Sequence, residues 1–127
     1  MSRFVILDHQ TPPDYPRASH WDLMLEAGES LRTWALEEVP KIGSTIPAEQ
    51  LPDHRMDYLT YEGPVSNDRG TVTRWDWGGY ALNSENDEQI CITLFGRRLA
   101  CEVVLERSSN DPQRWIASLK ARNTSAV

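Results

Sequence analysis

The sequence predicts a small, mostly-β, single-domain protein: an antiparallel barrel or sandwich of about seven strands, with short helical turns. Three observations carry that expectation. Apolar and polar residues alternate with a period of two over most of the chain, and no long stretch follows the 3.6-residue period of a helix. Clusters of Gly, Pro, Asn, Asp and Ser punctuate the alternation at short intervals. Finally, 127 residues of which 39% are apolar suffice for one core and leave little for a second. With no internal repeat, low-complexity tract or linker, residues 1–127 are expected to form one domain. Its core should run from about residue 4 to 120, ahead of a frayed tail at 121–127.

The elements follow in order. Phe4 to Leu7 reads as a short apolar strand, followed by a stiff loop holding Pro12, Pro13 and Pro16. From His20 to Glu26 the alternation is clean: His20, Asp22, Met24 and Glu26 face one way, and Trp21, Leu23 and Leu25 the other. Ala27 to Ser30 is a turn containing Gly28, and Leu31 to Leu36 is the returning strand. Residues 37–53, broken by Pro40, Pro47 and Pro52, read as irregular, with one helical turn at Ala48 to Leu51. Gly70 to Trp77 is β-branched and aromatic and is closed by Gly78-Gly79. A polar acidic loop, Asn83 to Glu88, precedes a hairpin of Gln89 to Phe95 and Arg98 to Glu106 about Gly96-Arg97. After a loop at Ser108 to Gln113, Trp115 to Lys120 is the last strand.

Charge and cysteine content narrow the function. A net charge of −6 argues against a general coat for nucleic acid, although a local basic patch is compatible with it. Cys91 and Cys101 lack metal-finger spacing and read as free thiols in strands, unless the hairpin register sets them opposite each other. No apolar run approaches a membrane span, and the first eight residues do not read as a signal peptide. A cytoplasmic protein with no membrane partner is expected.

Few residues could do chemistry. His20 and Asp22 leave the same strand face about 7 Å apart at the backbone. With His9 from the preceding loop they would complete a two-His, one-carboxylate set of the kind that takes manganese, iron or zinc. The alternative is a solvated His and Asp on a wet strand face. In Asp53-His54-Arg55-Met56-Asp57-Tyr58, His54 reads as a general acid or phosphate contact, with Arg55 and Tyr58 beside it. The alternative there is a polar loop that merely turns the chain after Pro52. Trp75-Asp76-Trp77-Gly78-Gly79 is either an aromatic platform or a strand end with a core Trp, and Arg97-Arg98 is a charged hairpin tip. No Gly-rich phosphate loop, Walker lysine or nucleophile elbow is present.

The order of these motifs resembles the 3′-phosphoesterase domain of bacterial DNA ligase D. His20-Trp21-Asp22-Leu23-Met24-Leu25-Glu26 is similar to that family's His-Tyr-Asp-Phe-Arg-Leu-Glu strand, and Thr33-Trp34-Ala35-Leu36 to its Ser-Trp-Ala-Val. Asp53 to Tyr58 followed by Tyr61-Glu62-Gly63 resembles its Asp-His-Pro-Leu-x-Tyr and Phe-Glu-Gly. Gly70-Thr71-Val72, Trp75-Asp76-x-Gly78 and Phe95-Gly96-Arg97-Arg98-Leu99 follow in the family's order. The resemblance implies an eight-stranded β-barrel that uses manganese to remove a 3′-terminal ribonucleotide and then the 3′-phosphate from DNA ends. It implies metal ligation by His20 and Asp22, with His9 as third ligand, and phosphate-site roles for His54 and Tyr58. The interval between His9 and His20 is longer than the family's, so the Pro-rich segment Thr11 to Pro16 must loop out.

Departures from the pattern fall on cations and acids. The family's arginine two residues after the strand aspartate is Met24, and an acidic residue before the second-motif histidine is Pro52. A family lysine falls near Glu38 and a family arginine near Ile46. A lost arginine clamp on a phosphoryl group costs about 2–4 kcal/mol of transition-state stabilisation. Arg17 and Arg55 are the candidates to replace it as substrate-binding cations. The expectation is a divergent phosphoesterase that takes manganese or zinc, acts on DNA 3′ ends and cooperates with separate ligase or polymerase proteins. The rivals are a non-catalytic metal- or ligand-binding barrel and an esterase for a smaller phosphodiester.

Overall fold

The computed structural model of the chain describes residues 1–122; the expected tail beyond Arg122 lies outside the described residues. Among the described residues nine strands form: β1 (Ser2–Gln10), β2 (His20–Ala27), β3 (Ser30–Leu36), β4 (Thr45–Arg55), β5 (Gly63–Pro64), β6 (Thr71–Glu85), β7 (Gln89–Gly96), β8 (Ala100–Arg107) and β9 (Arg114–Ala121). One 3₁₀ turn, Met56–Leu59, follows β4. The hydrogen-bonded order is β1-β2-β3-β4-β9-β8-β7-β6, and β6 returns to β1, closing an eight-stranded antiparallel barrel. Closure leaves no open edge among these eight strands. The two-residue β5 flanks β6 at Gly63↔Val72 and Pro64↔Thr71.

Side-chain alternation divides the apolar residues into two cores. One takes residues from all eight barrel strands, from Phe4, Ile6, Leu23 and Leu25 to Trp34, Ile92, Val103 and Ala117, and fills the barrel. Trp34 and Trp115 meet there edge to face, with centroids 5.6 Å apart. The other lies on the outward face of β1 and β2: Val5, Leu7 and Met24 pack with Leu31, Leu59, Val65 and Val72. The segment from the 3₁₀ turn to β6 covers that face. β2 is therefore buried on both sides, and the face expected to be wet is dry: His20 is 5% and Asp22 3% exposed.

Several local expectations are corrected. The helical turn at Ala48 to Leu51 is instead part of β4. Its prolines are tolerated because Pro47 pairs only with β9, beyond the end of β3, and Pro52 sits where the β3–β4 register shifts. His54 is thereby a strand residue, opposite Leu31. His9 also lies in a strand, since β1 runs on to Gln10. Gly78-Gly79 do not end β6, which continues to Glu85 and takes in the first residues of the expected acidic loop. Gly78 is needed for close approach: a Cβ there would lie 2.2 Å from the carbonyl oxygen of Phe95 on β7. β8 begins at Ala100 rather than Arg98.

Two irregularities position the functional residues. Residues 11–19 loop out and close on themselves, with Thr11 N–H donating to Ser19 Oγ at 3.0 Å and Thr11 Oγ1–H to the Arg17 carbonyl at 2.8 Å. The ladder on either side pairs His9 directly with His20. On β6, Arg74 opposes Leu7 and Asp76 opposes Ile6, so Trp75 is the extra residue of a β-bulge. The bulge resets the alternation, turning Asp76 inward while Arg74 and Trp77 share the outward face. Cys91 and Cys101 are opposite Val104 and Leu94, and both are free; burial pushes the Cys101 thiol up to about 11.

Candidate metal centre and adjoining cavity

The β1–β2 register brings His9, His20 and Asp22 together on the outward face, with one ligand atom from each within 4.8 Å of the others. The outer nitrogen of each ring is held by a backbone carbonyl: His9 Nε2 lies 2.7 Å from the Arg69 oxygen and His20 Nδ1 2.9 Å from that of Ala18. A carbonyl only accepts, so each of those nitrogens carries the hydrogen. The inner nitrogens face the carboxylate, His9 Nδ1 at 3.0 Å from Asp22 Oδ2 and His20 Nε2 at 2.9 Å from Oδ1. In neutral imidazoles these would be lone pairs set against a carboxylate. The arrangement calls for positive charge between the groups, supplied by protons or by a cation.

With protons alone the site is incompletely satisfied. Asp22 Oδ1 is buried and, despite its nearness to His20, stands outside hydrogen-bonding geometry with any donor among the described residues. Burial resists ionisation of Asp22, but His20 and then His9 outweigh it and hold the carboxyl down at about 2. For His9, burial opposes the charge, while Asp22 and the Arg69 carbonyl favour it, and its pKa is raised.

The donor set fits a divalent ion. Two imidazole nitrogens and a carboxylate oxygen are ligand types shared by manganese, iron and zinc. The two contacts near 3 Å run to different oxygens of Asp22, so the carboxylate lies between the two imidazoles, and one ligand atom from each residue lies within 4.8 Å of the others. Imidazoles anchored through their outer N–H on carbonyls are the usual support of metal-binding histidines.

A cavity of about 30 Å³, enough for one or two waters, lies against this cluster. Its walls unite His9 and Asp22 with His54, Tyr58, Arg69 and Met24. The rings of His54 and Tyr58 meet edge to face at 5.6 Å. The outer nitrogen of His54 is anchored like those of the other two rings, its Nδ1 lying 2.8 Å from the Pro52 carbonyl. Tyr58 also borders a larger pocket, about 270 Å³, shared with Arg55 and Tyr61. Arg55 therefore flanks the cavity across Tyr58 and does not line it. Arg17 is clamped to Glu49 by two contacts of 3.0 Å, a pairing that raises the arginine and lowers the acid. The cation lining the cavity is Arg69, whose side chain is held by the carbonyl and hydroxyl of Ser66.

Sequence reasoning missed why the other motifs exist. Asp76 is fully buried, and its carboxylate accepts the backbone N–H groups of Trp77, Arg97, Arg98 and Leu99 at 2.8 to 3.0 Å. It ties the β7–β8 turn to β6. Gly96 leaves room for it, since a Cβ there would lie 2.2 Å from Asp76 Oδ2. Trp75-Asp76-x-Gly78 and Phe95-Gly96 are thus one structural device. An aspartate in an otherwise apolar strand, followed later by Phe-Gly and a turn, was the signal available.

Comparison with known families agrees with this architecture. The family model of the DNA ligase D 3′-phosphoesterase domain matches residues 12–107. The chain belongs to that family. The matched stretch contains His20, Asp22, His54 and Tyr58 and begins just after His9. Among relatives of the 3′-phosphoesterase family, the multifunctional non-homologous end joining protein LigD of Pseudomonas aeruginosa is 32% identical over 66 residues. That alignment covers 48% of this chain and only 8% of the much longer relative. No helix among the described residues of this 3′-phosphoesterase-family chain is long and apolar enough to cross a membrane.

Proposed function

We propose that this chain is a divalent-metal-dependent phosphoesterase that processes 3′-ribonucleotide or 3′-phosphate ends of DNA. The observation that carries the reading is the buried His9–His20–Asp22 cluster, whose inner atoms converge while its outer nitrogens are already committed to carbonyls. Family membership supports the phosphoryl chemistry. His9, His20 and Asp22 would hold the ion, with manganese the first candidate and zinc the second. When bound, such an ion supplies Lewis acidity at a phosphoryl oxygen and a site for an activated water.

The chain's own residues do the rest. His54, on the cavity wall with its Nδ1–H anchored on the Pro52 carbonyl, donates a proton or hydrogen bond from Nε2 to a phosphoryl or leaving oxygen in its imidazolium form. Tyr58, packed against it, orients that group from the border of the two pockets. Arg69 gives the cavity a cation where Met24 offers none, and Arg55 meets the substrate on the far side of Tyr58. Leu7, Met24, Val65 and Val72 form the apolar part of the cavity wall and lower the local dielectric, which strengthens each of these polar contacts.

The test is hydrolysis of a primer-template ending in a 3′-ribonucleotide or 3′-phosphate, with manganese, for wild type and His20→Ala. Metal-dependent product in the wild type that vanishes in the variant is the expected result. Stoichiometric metal without product would replace this reading with a metal-binding barrel that has no turnover. Product from a small chromogenic diester alone would replace the DNA end with a smaller ester.

A further inference from the structure

We propose that Arg74, Trp77 and Arg97 form a clamp for the phosphate backbone of a nucleic-acid strand whose end sits at the mouth of the His–Asp cavity. The inference rests on the phosphoesterase reading and adds to it a second binding surface. The β6 bulge sets Arg74 and Trp77 side by side on the outward face, opposite Leu7 and Val5. Those β1 residues share their face with His9. The clamp therefore begins at Arg74, directly across the ladder from Leu7 on the cavity wall at a cross-strand spacing of about 5 Å, and Trp77 follows one step of about 7 Å along the strand.

Its chemistry is specific. Two guanidinium groups stack on the Trp77 indole, Arg74 at 4.1 Å and Arg97 at 4.4 Å from the ring centroid. Beside them Arg98 stacks on Trp75 at 4.8 Å. Stacking restrains a guanidinium while leaving its in-plane N–H fork free for phosphate oxygens. Three other arginines are spent differently: Arg3, Arg17 and Arg32 are tied to Glu26, Glu49 and Glu85. Among the described residues, Arg74, Arg97 and Arg98 form no ion pair. The nearby Glu62 carboxylate accepts the backbone N–H of Arg74 at 2.7 Å, and one Arg97 N–H reaches the Trp77 carbonyl at 3.4 Å. Arg74 Nε is buried and has no acceptor among the described residues, so any phosphate contact of Arg74 runs through its terminal Nη groups.

An acidic chain with two stacked, unpaired arginines on Trp77 beside a phosphoryl site suits a polyanionic strand better than a small ester. The experiment is fluorescence anisotropy with a 5′-labelled single-stranded DNA 12-mer in EDTA, so that binding is read without turnover. Arg74→Ala/Arg97→Ala should weaken binding at least roughly tenfold. It should also flatten the dependence of log Kd on log salt by about 1.4, or roughly 0.7 per lost phosphate contact. Arg97→Ala alone, at an exposed hairpin tip, should give about half that change in slope without burdening the fold.

An unchanged slope and affinity in the double variant, or a wild type that does not bind the oligonucleotide, would overturn the clamp. The two readings fail separately. Hydrolysis of a small diester with no oligonucleotide binding sinks the clamp alone. Oligonucleotide binding lost in the variants, together with an inactive wild type, sinks the phosphoesterase reading and leaves the clamp standing.

Discussion

Asp22 and Asp76 are both buried aspartates on barrel strands, and their surroundings differ completely. Asp76 is closed: four backbone N–H groups converge on it, three on Oδ1 and one on Oδ2, and a neighbouring glycine makes room for it. Asp22 is open: two imidazoles face it, and Oδ1 is left without an oriented donor. A carboxylate saturated by backbone donors has no capacity left for a ligand and holds structure. One surrounded by ligand-type nitrogens keeps capacity and has a use for a cation. Burial and charge alone do not separate these roles; the count and kind of donors do.

The sharpest way to break this contrast is to remove each carboxylate. Asp76→Ala strands several buried N–H groups at once and should cost about 3–5 kcal/mol in urea unfolding, with the β7–β8 turn losing amide protection first. Asp22→Asn keeps the shape and leaves no backbone donors stranded, so unfolding should shift by about 2 kcal/mol, the contribution of the lost charge alone. The same variant should lower manganese affinity by at least about 100-fold in calorimetric titration. Equal destabilisation by the two changes would dissolve the distinction between them.

Acidity probes the open site more gently. With its folded value at about 2 against an ordinary 3.8, Asp22 stabilises the fold above the ordinary value. That stability, about 2 kcal/mol, is lost as pH falls through the folded value. His9, raised in the folded state, works in the opposite sense. Its contribution is fully present below about pH 6.5 and disappears as pH rises through its folded value. Metal-free protein should therefore be most stable between about pH 4 and 6.5 in thermal melts. Manganese binding should strengthen as pH rises past that window, because the proton on His9 must leave first. A metal-free melt that improves steadily toward pH 8 would contradict the imidazole–carboxylate geometry.

Much of this was legible in the sequence, for identifiable reasons. Period-two spacing alone puts His20 and Asp22 on one face, and the order of short motifs points to the family and the barrel. That the face is dry was not legible. Met24 looks like one apolar interruption of a polar face, and its cover comes from Leu59 and Val65, far along the chain. Proline and glycine misled in both directions. Pro47 and Pro52 suggested an irregular segment, yet they occupy places in β4 where the ladder lacks a neighbour or shifts register. Gly78-Gly79 suggested a stop, whereas Gly78 serves the contact with Phe95. Arg17, proposed as a phosphate cation, proved to be paired with Glu49, and no local pattern announces a partner on a distant strand.

The loop between Gln10 and His20 sets the distance between two ligands in sequence but not in space. It is tied off at its own base, while six residue pairs of β1 and β2 hold His9 against His20. Chain length there is a free variable, since doubling such a loop costs only about 0.6 kcal/mol in closure entropy. A spacing rule that searches for paired histidines at one fixed interval will overlook barrels like this one. A rule written on strand register would find them, and the same loop offers a place to splice in a peptide or reporter while leaving the ligands in register.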